Sequence, residues 1–149
     1  MAYTTTLASI PESRIPAFRQ DQKESLCASR VIECSHLMAY WVQVQPLGAL
    51  LGRAIDGGEP LDTNLWHSFR PPVFHRAAAV QEIYAELKRV WDSTQQELPL
   101  SEDDWYGMQI KEIVDLFGWA ESRQEAVVSV LSLPFDKERA SRIVQPRLD

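Results

Sequence analysis

Cysteine is scarce in this sequence: Cys27 and Cys34 are all it has. Two thiols do not make the disulfide framework that staples small secreted domains, so reduced thiols are expected, with Cys34 as a small core residue. Histidine is scarce as well. His36, His67 and His75, taken with the two cysteines, show no compact zinc spacing, and no metal site is expected. Basic residues are outnumbered, 15 Lys and Arg against 21 Asp and Glu, for a formal net charge of -6 and a pI near 5.1. The arginines are dispersed, so the concentrated basic face that backbone phosphates demand is missing and no nucleic-acid partner is expected. No apolar run approaches the roughly 20 residues of a membrane span, which argues against a membrane role. The start of the chain shows no basic leader followed by an apolar core and a small-residue cleavage site, so cytoplasm is the expected location.

What the chain does have is ordinary for a globular domain. Its 149 residues are 45% hydrophobic and 24% charged, enough for one domain with a sizeable core. The organising stretch is Pro46 to Leu61, PLGALLGRAIDGGEPL, with four of the six glycines and two of the nine prolines. Within it, Asp56-Gly57-Gly58 reads as a turn whose glycines supply positive φ, and Glu59-Pro60 brings the chain back extended. Leu47 to Ile55 fits a helical turn or a short strand.

Around this centre the periodicities predict the following elements. The alternation of Tyr3, Thr5 and Leu7 with threonine-rich neighbours predicts an N-terminal strand. Ser9 stands three residues before Glu12 as a capping box for a short helix that directs Ile15 and Phe18 inward. Cys34, Met38, Trp41 and Gln45 share a helical face, predicting a helix from Glu33 to Val44. Pro71-Pro72 introduces the clearest helix, with Val73, Ala77, Val80, Tyr84, Leu87 and Trp91 on one face. Asp92 to Asp104 is polar, and Ser101 to Asp104 suits the start of a further helix whose apolar stripe is Tyr106, Ile110, Ile113, Val114 and Phe117. AVVSVLSL, Ala126 to Leu133, is a strand by composition with both faces partly covered. The tail after Pro134 is charged, with one helical turn between Asp136 and Ile143. The expected fold is α+β, a single compact domain over residues 1–149 with N- and C-terminal strands and several packed helices. Two terminal strands do not complete a sheet, so further strand must come from the middle.

Ser35-His36-Leu37-Met38, then PLGALLGRAIDGGEPL, a long helix at Ala77 to Val90, and a final amphipathic helix running into AVVSVLSL together resemble the YfbM-like family. This is a set of small bacterial proteins described as a domain of unknown function. The resemblance covers about Leu26 to Leu133 and implies a compact α+β domain. It carries no catalytic residues over to this chain.

Candidate chemistry competes with packing throughout. Gly48, Gly52, Gly57 and Gly58 form neither GxGxxG nor a phosphate-binding GxxxxGK motif, so a structural turn is the expected role. Cys34 and His36 are two apart, and helical positions two apart do not face each other. No catalytic residue, cofactor fingerprint or metal set is identified. His67, Arg70, His75 and Arg76 surround Pro71-Pro72 beside Trp66, Phe69 and Phe74, a cluster able to receive an anion or simply to hydrate a loop pinned by aromatics. Glu102, Asp103 and Asp104 serve helix electrostatics more simply than metal binding. Trp105 is placed for a surface that an interface could use.

Two function classes follow. The preferred one is a protein-binding or regulatory domain of immunity type, whose acidity suits a basic partner and whose contacts would be Asp103, Asp104 and Trp105. The alternative is a small-molecule-binding protein or enzyme with a pocket at Asp56, Gly57, Gly58, Glu59, His67 and Arg70. A symmetric self-interface would mark a third class, the structural oligomer.

Overall fold

Strand β1, Thr4–Ile10, has a partner strand on each side and is an interior strand of the main sheet. The computed structural model describes residues 4–16, 26–35, 46–61, 72–97, 105–132 and 144–146. After β1 come β2 (Leu26–Ala28), β3 (Arg30–Ser35), α1 (Leu47–Asp56), β4 (Glu59–Pro60) and β5 (Val73–His75). Next are α2 (Ala77–Glu97), α3 (Trp105–Arg123), β6 (Ala126–Ser132) and β7 (Val144–Pro146). The five-stranded sheet runs β3-β1-β6-β5-β4 with every neighbour antiparallel. A separate parallel pair joins β2 to β7. The architecture is α+β.

Register is set along β1 from Thr4↔Ser35 to Ser9↔Arg30 on one side and from Thr4↔Ser132 to Ile10↔Ala126 on the other. Alternation then divides the core in two. Leu7 and Val127 face α1, α2 and α3, in a cluster that includes Leu51, Ile83, Leu87, Ile113 and Phe117. Ala8, Ile10, Val128 and Val130 face the opposite side with Ile15, Leu61 and Phe74. The central strands are buried on both faces, and AVVSVLS therefore reads as a continuous apolar run.

Residues 33–35, expected to begin a helix running from Glu33 to Val44, belong instead to strand β3, which follows β2 after a bend at Ser29. Ile32 and Cys34 join the helix-side cluster while Val31 joins the other, the two-residue alternation of an extended chain. The helical face proposed for Cys34 needed Met38, Trp41 and Gln45, which lie outside the described residues. The strand missing from the sequence account is supplied here and by β5.

Leu47–Asp56 resolves as helix. Its buried residues, Leu47, Gly48, Leu51, Ala54 and Ile55, follow helical spacing once the small residues are counted with the leucines. The glycines after it do not provide left-handed backbone: Gly57 has φ -87, and no described glycine has positive φ. They provide proximity. A Cβ on Gly57 would stand 2.6 Å from the Arg53 carbonyl oxygen, and one on Gly58 2.7 Å from that of Phe74.

Helix α2 begins at Ala77, later than Pro71-Pro72 suggests, because Val73–His75 pairs with β6 from Val73↔Ser129 to His75↔Val127. The Arg76 carbonyl accepts the N–H of Val80, and a Glu12 carboxylate oxygen accepts that of Ala77 at 3.3 Å. Glu12 thus caps α2, and Ser9 lies inside β1, so the expected capping box does not form. At its other end α2 runs through the polar stretch to Glu97, with Thr94 buried one turn beyond Val90. Polarity there marks an exposed helical face and no loop. Residues 14–16 form a helical turn that buries Ile15, while Phe18 and the tail at 136–143 lie outside the described residues.

Candidate functional site

The expected pocket residues divide. Asp56 closes α1 and is half-buried. Gly57 and Gly58 turn their open sides to the protein's own backbone, at Arg53 and Phe74, which leaves no approach for a ligand from that direction. Glu59 is exposed, and its carboxylate accepts from Arg76 Nε at 2.9 Å. His67 and Arg70 lie outside the described residues, as do Asp103 and Asp104.

The polar cluster around Pro71-Pro72 is split by strand alternation. His75 points into the helix-side core, 4% exposed, where Nε2–H donates to the Ala54 carbonyl at 3.1 Å at the end of α1. Its ring stands 6.1 Å from that of Phe117. Burial lowers its pKa from the ordinary imidazole value, opposed by the backbone hydrogen bonds to Ala54 and Arg53. A neutral imidazole donating to a helix C-terminal carbonyl is a packing element. Arg76 faces outward to Glu59 and Glu12, with its guanidinium over the Phe74 ring.

Cys34 offers no nucleophile. Burial is the main cause pushing its thiol up to about 12, and the charges of Glu112 and Asp56 add to it, so the thiolate is scarcely populated at neutral pH. Among the described residues no group of three or more His, Cys, Asp or Glu could hold a metal ion, and no helix is long and apolar enough to cross a membrane.

Two features stand out on α3. The first is its outer face. Trp105, Met108 and Trp119 are 52%, 47% and 37% exposed, and they are the exposed large apolar side chains among the described residues. At 100° per residue these three, with Glu112 and Asp115, fall within an arc of about 80° along about 21 Å of helix. The opposite face buries Ile110, Ile113, Val114 and Phe117, so the helix is apolar on two sides. Trp105 is steadied by Tyr106, whose ring meets it edge-on at 4.7 Å.

The second feature is the polar junction where α3 hands over to β6. Gln124 takes φ 55, Gln124 N–H bonds to Glu121, and Glu125 N–H bonds back to Ala120. This is a Schellman ending with glutamine in the left-handed position usually held by glycine. The turn drives the Glu125 side chain inward, where it is 7% exposed. Its Oε1 accepts from Ser9 Oγ at 3.2 Å, Ser29 Oγ at 2.5 Å and Arg123 Nε at 2.9 Å. Burial of the carboxylate is made tolerable by three donors on one oxygen. Ser29 Oγ in turn accepts from Trp119 Nε1–H at 2.9 Å. Beside the junction lies a cleft of about 540 Å³ lined by Pro11, Glu12, Ser13 and residues 123–125. None of Ser9, Ser29 or Glu125 was recognisable as a site in the sequence, since the serines lie 116 and 96 positions from the glutamate. The repeat of Trp105 at Trp119, four helical turns on, was the legible signal.

No family model matches the sequence, and no curated protein or solved structure matches it.

Proposed function

We propose that this chain is a cytoplasmic protein-binding domain of regulatory or immunity type, and that the outer face of α3 is its docking surface. The observation that carries this reading is the coincidence of Trp105, Met108 and Trp119 on one helical stripe. Exposed aromatic and methionine side chains are costly in water and dominate interface energetics when covered. Glu112 and Asp115 lie between them, so the matching surface is apolar with basic groups opposite its centre. This agrees with the basic partner expected from a net charge of -6. A second copy fits poorly: in an antiparallel pair centred on the stripe, Glu112 would face its own counterpart. The YfbM-like resemblance is compatible with such a module and assigns it no activity.

The test compares partner recovery by the wild-type protein and by a Trp105→Ala, Met108→Ala variant, with urea midpoints measured alongside. Recovery should fall at least about tenfold, since truncating central apolar anchors costs over 1 kcal/mol each, while the midpoint stays near wild type. Undiminished recovery by a folded variant would refute the surface.

A further inference from the structure

The C-terminal end of the α3 stripe carries a charge arrangement at odds with its acidic middle. Two guanidinium groups lie against the same indole: Arg30 with its central carbon 5.7 Å from the Trp119 ring centroid, and Arg123 at 5.1 Å. The two cations are therefore within about 11 Å of each other. One carboxylate, Glu125, bonds to Arg123 through Nε. Among the described residues no carboxylate pairs with Arg30. The cluster sets two guanidinium groups on one indole of a protein whose net charge is negative, with one buried carboxylate engaged beneath them and Asp115 one helical turn back on the same stripe.

The parts are held in place from beneath. Buried Glu125 fixes the Ser29 hydroxyl and the Arg123 Nε, and Ser29 fixes the indole through Trp119 Nε1–H. Arg30 sits on β3 opposite Ser9, one residue after Ser29, whose own N–H bonds to the Ser9 carbonyl. A guanidinium that lies over an aromatic ring engages its face and leaves its N–H edge to hydrogen-bond with a planar or tetrahedral oxyanion. Trp119 and the Arg123 Nε are thus held before a ligand arrives, which lowers the ordering cost of binding, while the Arg30 guanidinium rests on the indole.

We propose that Arg30, Trp119 and Arg123 form a binding site for a phosphate group, free or esterified. The guanidinium edges donate to the phosphate oxygens, the indole supports the cations, and Glu125 with Ser29 holds the frame. Glu12, on the far side of the adjoining cleft, is already engaged by Arg76 and the Ala77 N–H, which moderates its repulsion of an incoming anion. The acidic protein as a whole still opposes anions, so affinity of millimolar order and a clear loss at high salt are expected.

The experiment follows the Trp119 indole N–H resonance in nitrogen-15-labelled protein, assigned by its loss in Trp119→Phe. Inorganic phosphate, O-phosphoserine and sodium chloride are titrated in at matched ionic strength. The expected result is a saturable shift with phosphate and none with chloride. Arg30→Gln should weaken the apparent affinity about tenfold or more, the loss of one charge-assisted contact, with Arg30→Lys intermediate because charge survives and the fork does not. Phosphoserine binding at least as tightly as phosphate identifies an esterified ligand, and binding of phosphate alone identifies the free ion. A response equal to that of chloride, or an affinity unchanged in both Arg30 variants, overturns the site. The site shares Trp119 with the docking stripe but does not rest on that reading: a Trp105→Ala, Met108→Ala protein should bind phosphate as wild type does.

Discussion

The ring of Tyr84 on α2 fills the space that Gly118 leaves on α3: a Cβ at Gly118 would stand 2.9 Å from Tyr84 Cε1 and 3.1 Å from Cζ. By propensity a glycine inside a helix is a weak point. Here it is the condition for bringing two helices together over the sheet, and it explains why α3 continues past it to Arg123.

Gly118→Ala should therefore destabilise the protein by up to about 1 kcal/mol, the displacement of the half-buried Tyr84 ring tip outweighing a propensity gain of up to about 1 kcal/mol. In a Tyr84→Ala background the same substitution should become neutral or stabilising. Urea denaturation of the four proteins in this cycle measures the coupling. Equal effects in both backgrounds would mean that the Tyr84 contact does not set the requirement for glycine.

His75 should make stability pH-dependent. Burial lowers its folded pKa beneath the ordinary value of about 6.5, so below that pH the unfolded chain takes up the proton first. Its contribution is fully present above about pH 6.5 and is lost as pH falls towards the folded pKa, with a slope of at most about 1.4 kcal/mol per unit for one proton. His75→Gln keeps a side-chain N–H for the Ala54 carbonyl and removes the titration. Urea midpoints between about pH 7.5 and 5 should fall less steeply for this variant than for wild type. Parallel profiles would exclude His75 as the titrating group.

Cys34 should be chemically silent in the folded protein. With its thiol pushed up to about 12 and the side chain 4% exposed, alkylation at neutral pH must wait for opening of the structure. Peptide mapping after iodoacetamide treatment should find Cys34 unmodified without urea and fully modified in it. Rapid labelling of the native protein would show that β3 opens locally.

Gln124→Gly should stabilise. An L-residue in left-handed backbone costs about 1–2 kcal/mol, and glycine avoids this at an entropic cost of about 0.5–1 kcal/mol. The net expectation is a gain of up to about 1 kcal/mol, a few degrees in melting temperature by scanning calorimetry. A loss would mean that the glutamine side chain contributes contacts of its own at the edge of the cleft.

What repeats locally could be read from the residues alone. The apolar positions of α3, from Tyr106 through Ile110, Ile113, Val114 and Phe117, recur every three or four residues and specify helix wherever the segment finds itself. The apolar run of β6 and the alternation of β1 specify buried strands in the same way, and Trp105 and Trp119 fall on one side of α3 by arithmetic alone. The rest depends on partners far apart in the chain, which no local pattern encodes. Val73–His75 is strand because β6 is there to pair with it. Gly57 and Gly58 matter through the backbones beside them, not through their own dihedrals. The Ser9, Ser29 and Glu125 junction exists because three segments without mutual periodicity meet at one end of β1, where a buried carboxylate needs all of their donors.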